Sequence, residues 1–141
     1  MVTEPERFSG LLGTEILDSS ALTKYAAKEA DWDEVEKHIT SADSLELALK
    51  ETSNALWKKL LKKEVELEAV KKIVKTLGET LWFLDQGTYM DRALEIASDH
   101  KITIYDSLFL ACAEMEKSKL VSCDSRQLEV ARKLGIETIL V

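Results

Sequence analysis

The sequence is poor in the residues that build special covalent chemistry or special backbone. It has two cysteines, Cys112 and Cys123, with no CxxC pair, which argues against a disulfide framework and against a thiolate zinc site. They read as reduced thiols. A single proline (Pro5) and five glycines leave no room for a Pro/Gly-rich linker, and no repeat or low-complexity tract is present. No apolar run approaches the length of a membrane span. The opening MVTEPERFSG has neither a basic n-region nor an apolar h-region, so the chain reads as soluble, unexported and cytoplasmic. Positive charge is also scarce. Nineteen Lys and Arg stand against 26 Asp and Glu, a net −7, which at face value argues against a protein that coats nucleic acid.

What remains is ordinary globular material. A chain of 141 residues with 45% hydrophobic content is long enough for one cored domain. Residues 14–141 read as that domain, and residues 1–13 as an N-terminal arm expected to be flexible. Asn54, Gln86 and Gln127 are the only side-chain amides, while Lys and Glu abound, the direction of bias found in hyperthermophile proteins.

Hydrophobic periodicity predicts alternating strands and helices. A short strand ends at Asp18, and Ser19 or Ser20 is expected to cap a helix reaching about Lys28. A helix over 31–38 is expected to be capped by Asp31, then a strand over 41–45 and a long helix over 46–61. A helix over 63–77 carries a Glu68–Lys72 pair and stops at Gly78. Strands are predicted over 80–84, 119–123 and 137–141, with helices over 89–98, 104–115 and 125–134, the last ending at Gly135. This order predicts βαβ units: an α/β fold with a mostly parallel five-stranded sheet and helices on both faces. Ligands then bind beyond the carboxyl ends of the strands, where strand order reverses.

That rule sorts the acids. Glu64, Glu66, Glu68, Glu114, Glu116 and Glu129 lie beside lysines and read as solvated helix faces. Asp31 and Asp33 read as residues that complement a helix N-terminus. Asp18 and Asp124 instead sit at strand ends and are aimed at the crevice. Asp106 opens the apolar stretch Asp106–Ala113, and Glu51 lies one turn into the long helix. Each alone has a plain reading as a cap, a turn residue or a solvated side chain. Together they repel, so protons or a cation must compensate. Hard oxygen donors of this kind suit Mg²⁺ or Mn²⁺ and point to metal-assisted phosphodiester hydrolysis.

In three blocks the chain resembles the PIN-domain ribonucleases, specifically VapC-type toxins of VapBC toxin–antitoxin systems. They are Ile16-Leu17-Asp18-Ser19-Ser20-Ala21-Leu22, Leu47 to Leu56 around Glu51, and Tyr105 to Ala111 followed by Leu120-Val121-Ser122-Cys123-Asp124-Ser125-Arg126. The resemblance covers about residues 14–141. It implies that Asp18, Glu51, Asp106 and Asp124 are the catalytic, metal-binding set, with Ser20 and Ser122 as supporting hydroxyls and Asn54 following the glutamate. It further implies a Mg²⁺- or Mn²⁺-dependent endoribonuclease, a homodimer, and a cognate VapB-type antitoxin whose tail covers the groove.

RNA must still meet positive charge, and Lys24 and Arg126 are the best placed to supply it. Lys58, Lys59, Lys62 and Lys63 read as a helix C-terminal charge pattern. Trp32 and Trp57 are candidates for a dimer or antitoxin surface; Trp82, Phe83 and Phe109 read as packing. His38 and His100 show no spacing that suggests a base or ligand, and Cys123 is expected to point into the core. Two rival α/β phosphoryl-transfer classes fit poorly. An aspartate-nucleophile phosphatase wants a second Asp where Ser20 stands, and a receiver domain wants an acidic pair after the first strand and a lysine after the last. A non-catalytic PIN module and a housekeeping RNA-processing nuclease stay open as alternatives.

Overall fold

The computed structural model describes residues 14–141, so the predicted arm over 1–13 lies outside the described residues. The elements are β1 (Glu15–Leu17), α1 (Ser19–Ala26), α2 (Asp33–Glu36), β2 (Ala42–Leu45), α3 (Glu46–Leu61), α4 (Leu67–Thr80) and β3 (Trp82–Leu84). They continue as α5 (Met90–His100), α6 (Ile104–Met115), β4 (Lys119–Ser122), α7 (Ser125–Lys133) and β5 (Thr138–Leu140). The five strands form one sheet in the order β3-β2-β1-β4-β5, every pair parallel.

The chain steps from β1 outward to β2 and β3, then crosses back to β4 on the other side of β1. With right-handed crossovers, that reversal puts the helices before β3 on one face and those after it on the other. The contacts agree: α1 packs on α2 and α3, and α3 on α4, while α5 packs on α6. The reversal lies between β1 and β4, where Leu17 pairs with Val121.

The core sits on the central strands. Ile16, Leu17, Leu120 and Val121 are fully buried, and each such side chain contributes roughly 1.5–3 kcal/mol of burial. Helix α6 is buried continuously from Ser107 to Ala113, as its apolar run requires. Phe109 lies in this core, whereas Trp57 is half exposed. Trp32 is half-buried, its ring 6.0 Å from that of Tyr25 and under the Lys28 ammonium at 5.4 Å. No helix among the described residues is long and apolar enough to cross a membrane.

Several local expectations are corrected. Asp18, not Ser19 or Ser20, is the N-cap of α1, accepting from the Ala21 N–H, because the strand ends one residue earlier than a serine cap needs. The helix predicted over 31–38 shrinks to the single turn of α2, with Asp31 in the left-handed region (φ 63°). The helix predicted over 63–77 starts at Leu67 and runs through Gly78 to Thr80. Lys63 (φ 57°) is the left-handed residue that ends the preceding helix, and a side chain at Gly78 would meet open space. Glu68 pairs with Lys71 at 3.6 Å rather than with Lys72.

Three acids and a histidine also have partners that the pattern did not show. Glu114 receives a two-pronged bond from Arg92 at 2.6 and 3.0 Å. Glu116 accepts from the buried Tyr89 hydroxyl at 2.9 Å. At the amino end of β1 the buried Glu15 contacts His38 Nδ1 at 2.8 Å and accepts from Ser41 at 3.1 Å. Cys123 lies just past β4, half-buried and packed against the core as expected, with Sγ 3.5 Å from the Ser20 carbonyl. Both cysteines are free thiols.

Candidate functional site

Parallel pairing of β1 with β4 brings the two strand ends together, and hydroxyls stitch them. The Asp18 N–H donates to the Val121 carbonyl at 3.2 Å, carrying the ladder one residue past β1. Asp18 Oδ1 accepts from the Ala21 N–H at 3.0 Å and from Ser20 Oγ at 2.6 Å. Ser20 Oγ also accepts the Cys123 N–H at 3.0 Å and lies 3.2 Å from Ser122 Oγ. Ser122 Oγ in turn accepts the Asp124 N–H at 2.9 Å. Thus Ser20 and Ser122 form the floor between the two aspartates.

Asp124 N-caps α7, its Oδ1 accepting from the Arg126 and Gln127 N–H groups at 3.0 and 3.3 Å. Asp106 lies in the first turn of α6, where Thr103 is the cap and accepts the Asp106 N–H at 3.2 Å. The buried Gln127 amide donates to the Asp106 carbonyl at 2.9 Å, fixing the N-terminal turn of α6 against that of α7.

The three aspartates are coupled through charge. Asp18 is only 4% exposed. Burial pushes its carboxyl above the usual range, the bonds from Ser122, Ser20 and Ala21 oppose this, and the Asp124 charge raises it further. Asp106 is raised as well, first by desolvation and then by Asp124, against smaller lowering by Thr103 and Arg126. Asp124 therefore faces both of the others.

Glu51 comes from the opposite wall. It is exposed on α3, and its Oε1 accepts a short hydrogen bond from Ser19 Oγ, which ties it to the loop that carries Asp18. Thr23 and the fully buried Thr52 join α1 to α3 alongside it, Oγ1 to Oγ1 at 3.0 Å. Asn54 is not drawn in; it lines a hollow on α3 with Lys50, Glu51 and Lys58. Lys24 lines a neighbouring hollow with Ser19, Ser20, Thr23 and Cys123. Arg126 lines a third with Asp106, Asp124 and Lys101.

Among the described residues no three His, Cys, Asp or Glu side chains close around one point. The donor set nonetheless fits a hard divalent cation that keeps much of its own water, because Mg²⁺ is commonly held by one or two carboxylates. The backbone N–H bonds of Asp18 and Asp124 fall on Oδ1, and Oδ2 of each carboxylate accepts no backbone N–H among the described residues. A cation would also offset the Asp124 charge, which adds to the desolvation that raises Asp18 and Asp106.

The sequence reading missed Ser19, Thr103 and Gln127. Thr103 was legible as a cap three residues before an acid. Ser19 and Gln127 act across long sequence separations and carry no local signal.

A family model for the PIN domain matches residues 16–133. Over 127 residues the chain is 29% identical to exonuclease VapC9 of Pyrobaculum aerophilum, covering 89% of this chain and 92% of that protein. Over 119 residues it is 28% identical to ribonuclease VapC3 of the same organism, covering 80% and 90%. The crystal structure of PAE2754 from Pyrobaculum aerophilum superposes with a TM-score of 0.73 at 27% identity, covering 98% of this chain and 92% of that one. VapBC2 from Rickettsia felis, solved with a DNA fragment from its promoter, shares the fold at a TM-score of 0.63 and 14% identity, covering 90% and 98%.

Proposed function

The chain belongs to the PIN-domain family, and on that footing we propose that it is a divalent-metal-dependent ribonuclease, the toxin of a toxin–antitoxin pair. The observation that carries this reading is the trio Asp18, Asp106 and Asp124, charge-coupled at the switch point of a parallel sheet. The relatives' names, exonuclease and ribonuclease, support a nuclease.

In this reading Asp18, Asp106 and Asp124 hold Mg²⁺ or Mn²⁺, with Glu51 as the fourth carboxylate. The ion, when bound, offsets phosphate charge and makes a water easier to deprotonate. Ser20 and Ser122 fix the Asp18 rotamer, so that its second oxygen stays aimed at the crevice. Ser19 holds Glu51 toward the same loop. Gln127 keeps Asp106 and Asp124 on one wall by pinning two helix starts. Lys24 and Arg126 receive the RNA backbone, and Asn54 stays peripheral. The partners are RNA, a VapB-type antitoxin whose basic segment enters the acidic crevice, and a second copy in a homodimer.

The test is cleavage of an RNA pool with Mg²⁺ or Mn²⁺ and after EDTA. Asp18→Asn and Asp106→Asn should each abolish metal-dependent cutting while preserving the fold, and unchanged cutting by both sinks the site assignment. A circular RNA decides between modes: an endonuclease opens it and an exonuclease leaves it intact. Binding without cutting would leave a non-catalytic module. Co-purification with the product of a small upstream gene, and the solution mass by light scattering, test antitoxin and dimer.

A further inference from the structure

The sequence pattern singled out Arg126 but not the residue that shares its hollow. Helix α5 is capped by Lys101, which adopts the left-handed conformation (φ 55°) and turns the chain toward Thr103 and the start of α6. Left-handed lysines also stand at positions 28, 63 and 117, so the conformation does not single out Lys101. Its surroundings do. Lys101 lines a hollow of about 230 Å³ with Thr103, Asp106, Asp124, Arg126 and Gln127.

Two cations therefore share a recess with two of the three coupled aspartates. Arg126 lines that recess beside both carboxylates, and its hydrogen bond to Asp124 comes from the backbone N–H that caps onto it. Lys101 makes no ion pair among the described residues, where pairs such as Lys119–Glu137 and Lys133–Glu129 are formed elsewhere. The walls are fixed, because the Gln127 amide bonds the Asp106 carbonyl. A polyanion whose scissile phosphate lies at the aspartates needs compensation for the next phosphate along, and this recess supplies it beside the acids.

We propose that Lys101 and Arg126 form a phosphate subsite for the nucleotide adjoining the scissile bond, an inference that rests on the ribonuclease reading. Lys101 is thereby a substrate-binding residue.

The experiment measures binding of a fluorescent single-stranded RNA 12-mer by anisotropy, with Ca²⁺ replacing Mg²⁺ and the RNA checked intact afterwards. Lys101→Gly keeps the left-handed turn without a side chain and so preserves the fold. It should weaken binding about tenfold, in line with loss of a charge-assisted hydrogen bond. It should also make the salt dependence shallower by about 0.7 in log–log slope, the value for one single-strand phosphate contact. Lys101→Arg should restore both, and Lys117→Gly, the same backbone change at the far end of the sheet, should leave both unchanged. If Lys101→Gly binds like the wild type with the same slope, the subsite is refuted while the nuclease reading stands. A wild-type protein that neither binds nor cuts RNA refutes that reading, and the subsite with it.

Discussion

Replacing Asp18 with Asn should stabilise the metal-free protein and abolish its response to metal. The carboxyl group is buried, raised by desolvation and by Asp124, so ionised Asp18 costs folding free energy at neutral pH. A raised folded pKa means that the native state holds its proton more tightly than the unfolded chain. Stability from this group is therefore present below the unfolded carboxyl pKa and is lost as pH rises through the folded value. Asparagine removes the charge yet keeps the N-cap, since Asn and Asp cap almost equally well. Alanine removes both, and losing the cap to Ala21 costs about 1 kcal/mol, or roughly 3–4 °C in Tm for a domain of this size. In EDTA at pH 7 the order of melting temperatures should be Asp18→Asn above both the wild type and Asp18→Ala. Metal reverses the comparison. At a hundredfold excess over Kd a ligand stabilises by about 2.7 kcal/mol, close to 10 °C here at the same conversion, and only the wild type should gain it. The assay is differential scanning fluorimetry at pH 7 and pH 4.5 with EDTA or Mn²⁺, and lowering the pH in EDTA should narrow the gap between Asp18→Asn and the wild type. Equal Mn²⁺ shifts in both proteins, or an Asp18→Asn variant less stable than the wild type in EDTA, would refute the reasoning.

Ser20→Ala should cost about 1–3 kcal/mol in urea unfolding, because it orphans the Cys123 N–H and removes a donor from Asp18; Ser20→Thr should recover most of the loss. Asp124→Asn should melt near the wild type and Asp124→Ala about 3–4 °C lower, since Oδ1 of Asp124 satisfies two helix N–H groups. Lys63→Gly should stabilise by between about 0 and 1.5 kcal/mol in urea unfolding. Relief of the left-handed backbone (φ 57°) favours it by about 1–2 kcal/mol, and the entropy of an unfolded glycine opposes it by about 0.5–1 kcal/mol.

The parts of the molecule legible in the sequence share a physical basis. Helices α3 and α6 were placed to the residue, because long periodic or apolar runs leave little choice. Asp18 and Asp124 were legible as strand-end residues because each follows a short apolar strand, and parallel neighbours must end on the same edge. The residues that turn the chain out of the helices were not legible, even where the helix ends were. Glycine at 135 (φ 78°) marks one, but the left-handed residues after α1, α3, α5 and α6 are Lys28, Lys63, Lys101 and Lys117. Lysine there carries no turn signature; what selects it is the fold that the turn must serve. Gly78, expected as a stop because it follows the last apolar position Leu77, is an interior helix residue. The second tier of the site is non-local too: Ser19 meets Glu51 across 32 positions, and Gln127 meets Asp106 across 21. Only packing brings such pairs together.

The net charge of −7 is distributed unevenly, and that distribution bears on RNA. Away from the crevice, carboxylates meet lysines: Glu34 with Lys37 at 3.0 Å, Glu64 with Lys59 at 3.6 Å, Glu137 with Lys119 at 3.3 Å. Such exposed pairs contribute little to stability, about 0–1 kcal/mol each, but they cancel field. The buried Asp18 has no cation among the groups that set its pKa, and Asp106 has only Arg126. Hence, among the described residues, the acids at the strand ends lack the close ion pairs that join carboxylates to lysines over much of the periphery. A phosphate approaching the strand ends is repelled there until something positive intervenes. On the ribonuclease reading, the acidity that first argued against a nucleic-acid partner should make RNA binding conditional: weak without a divalent cation, local when one is present, and dependent on the few cations that rim the aspartates.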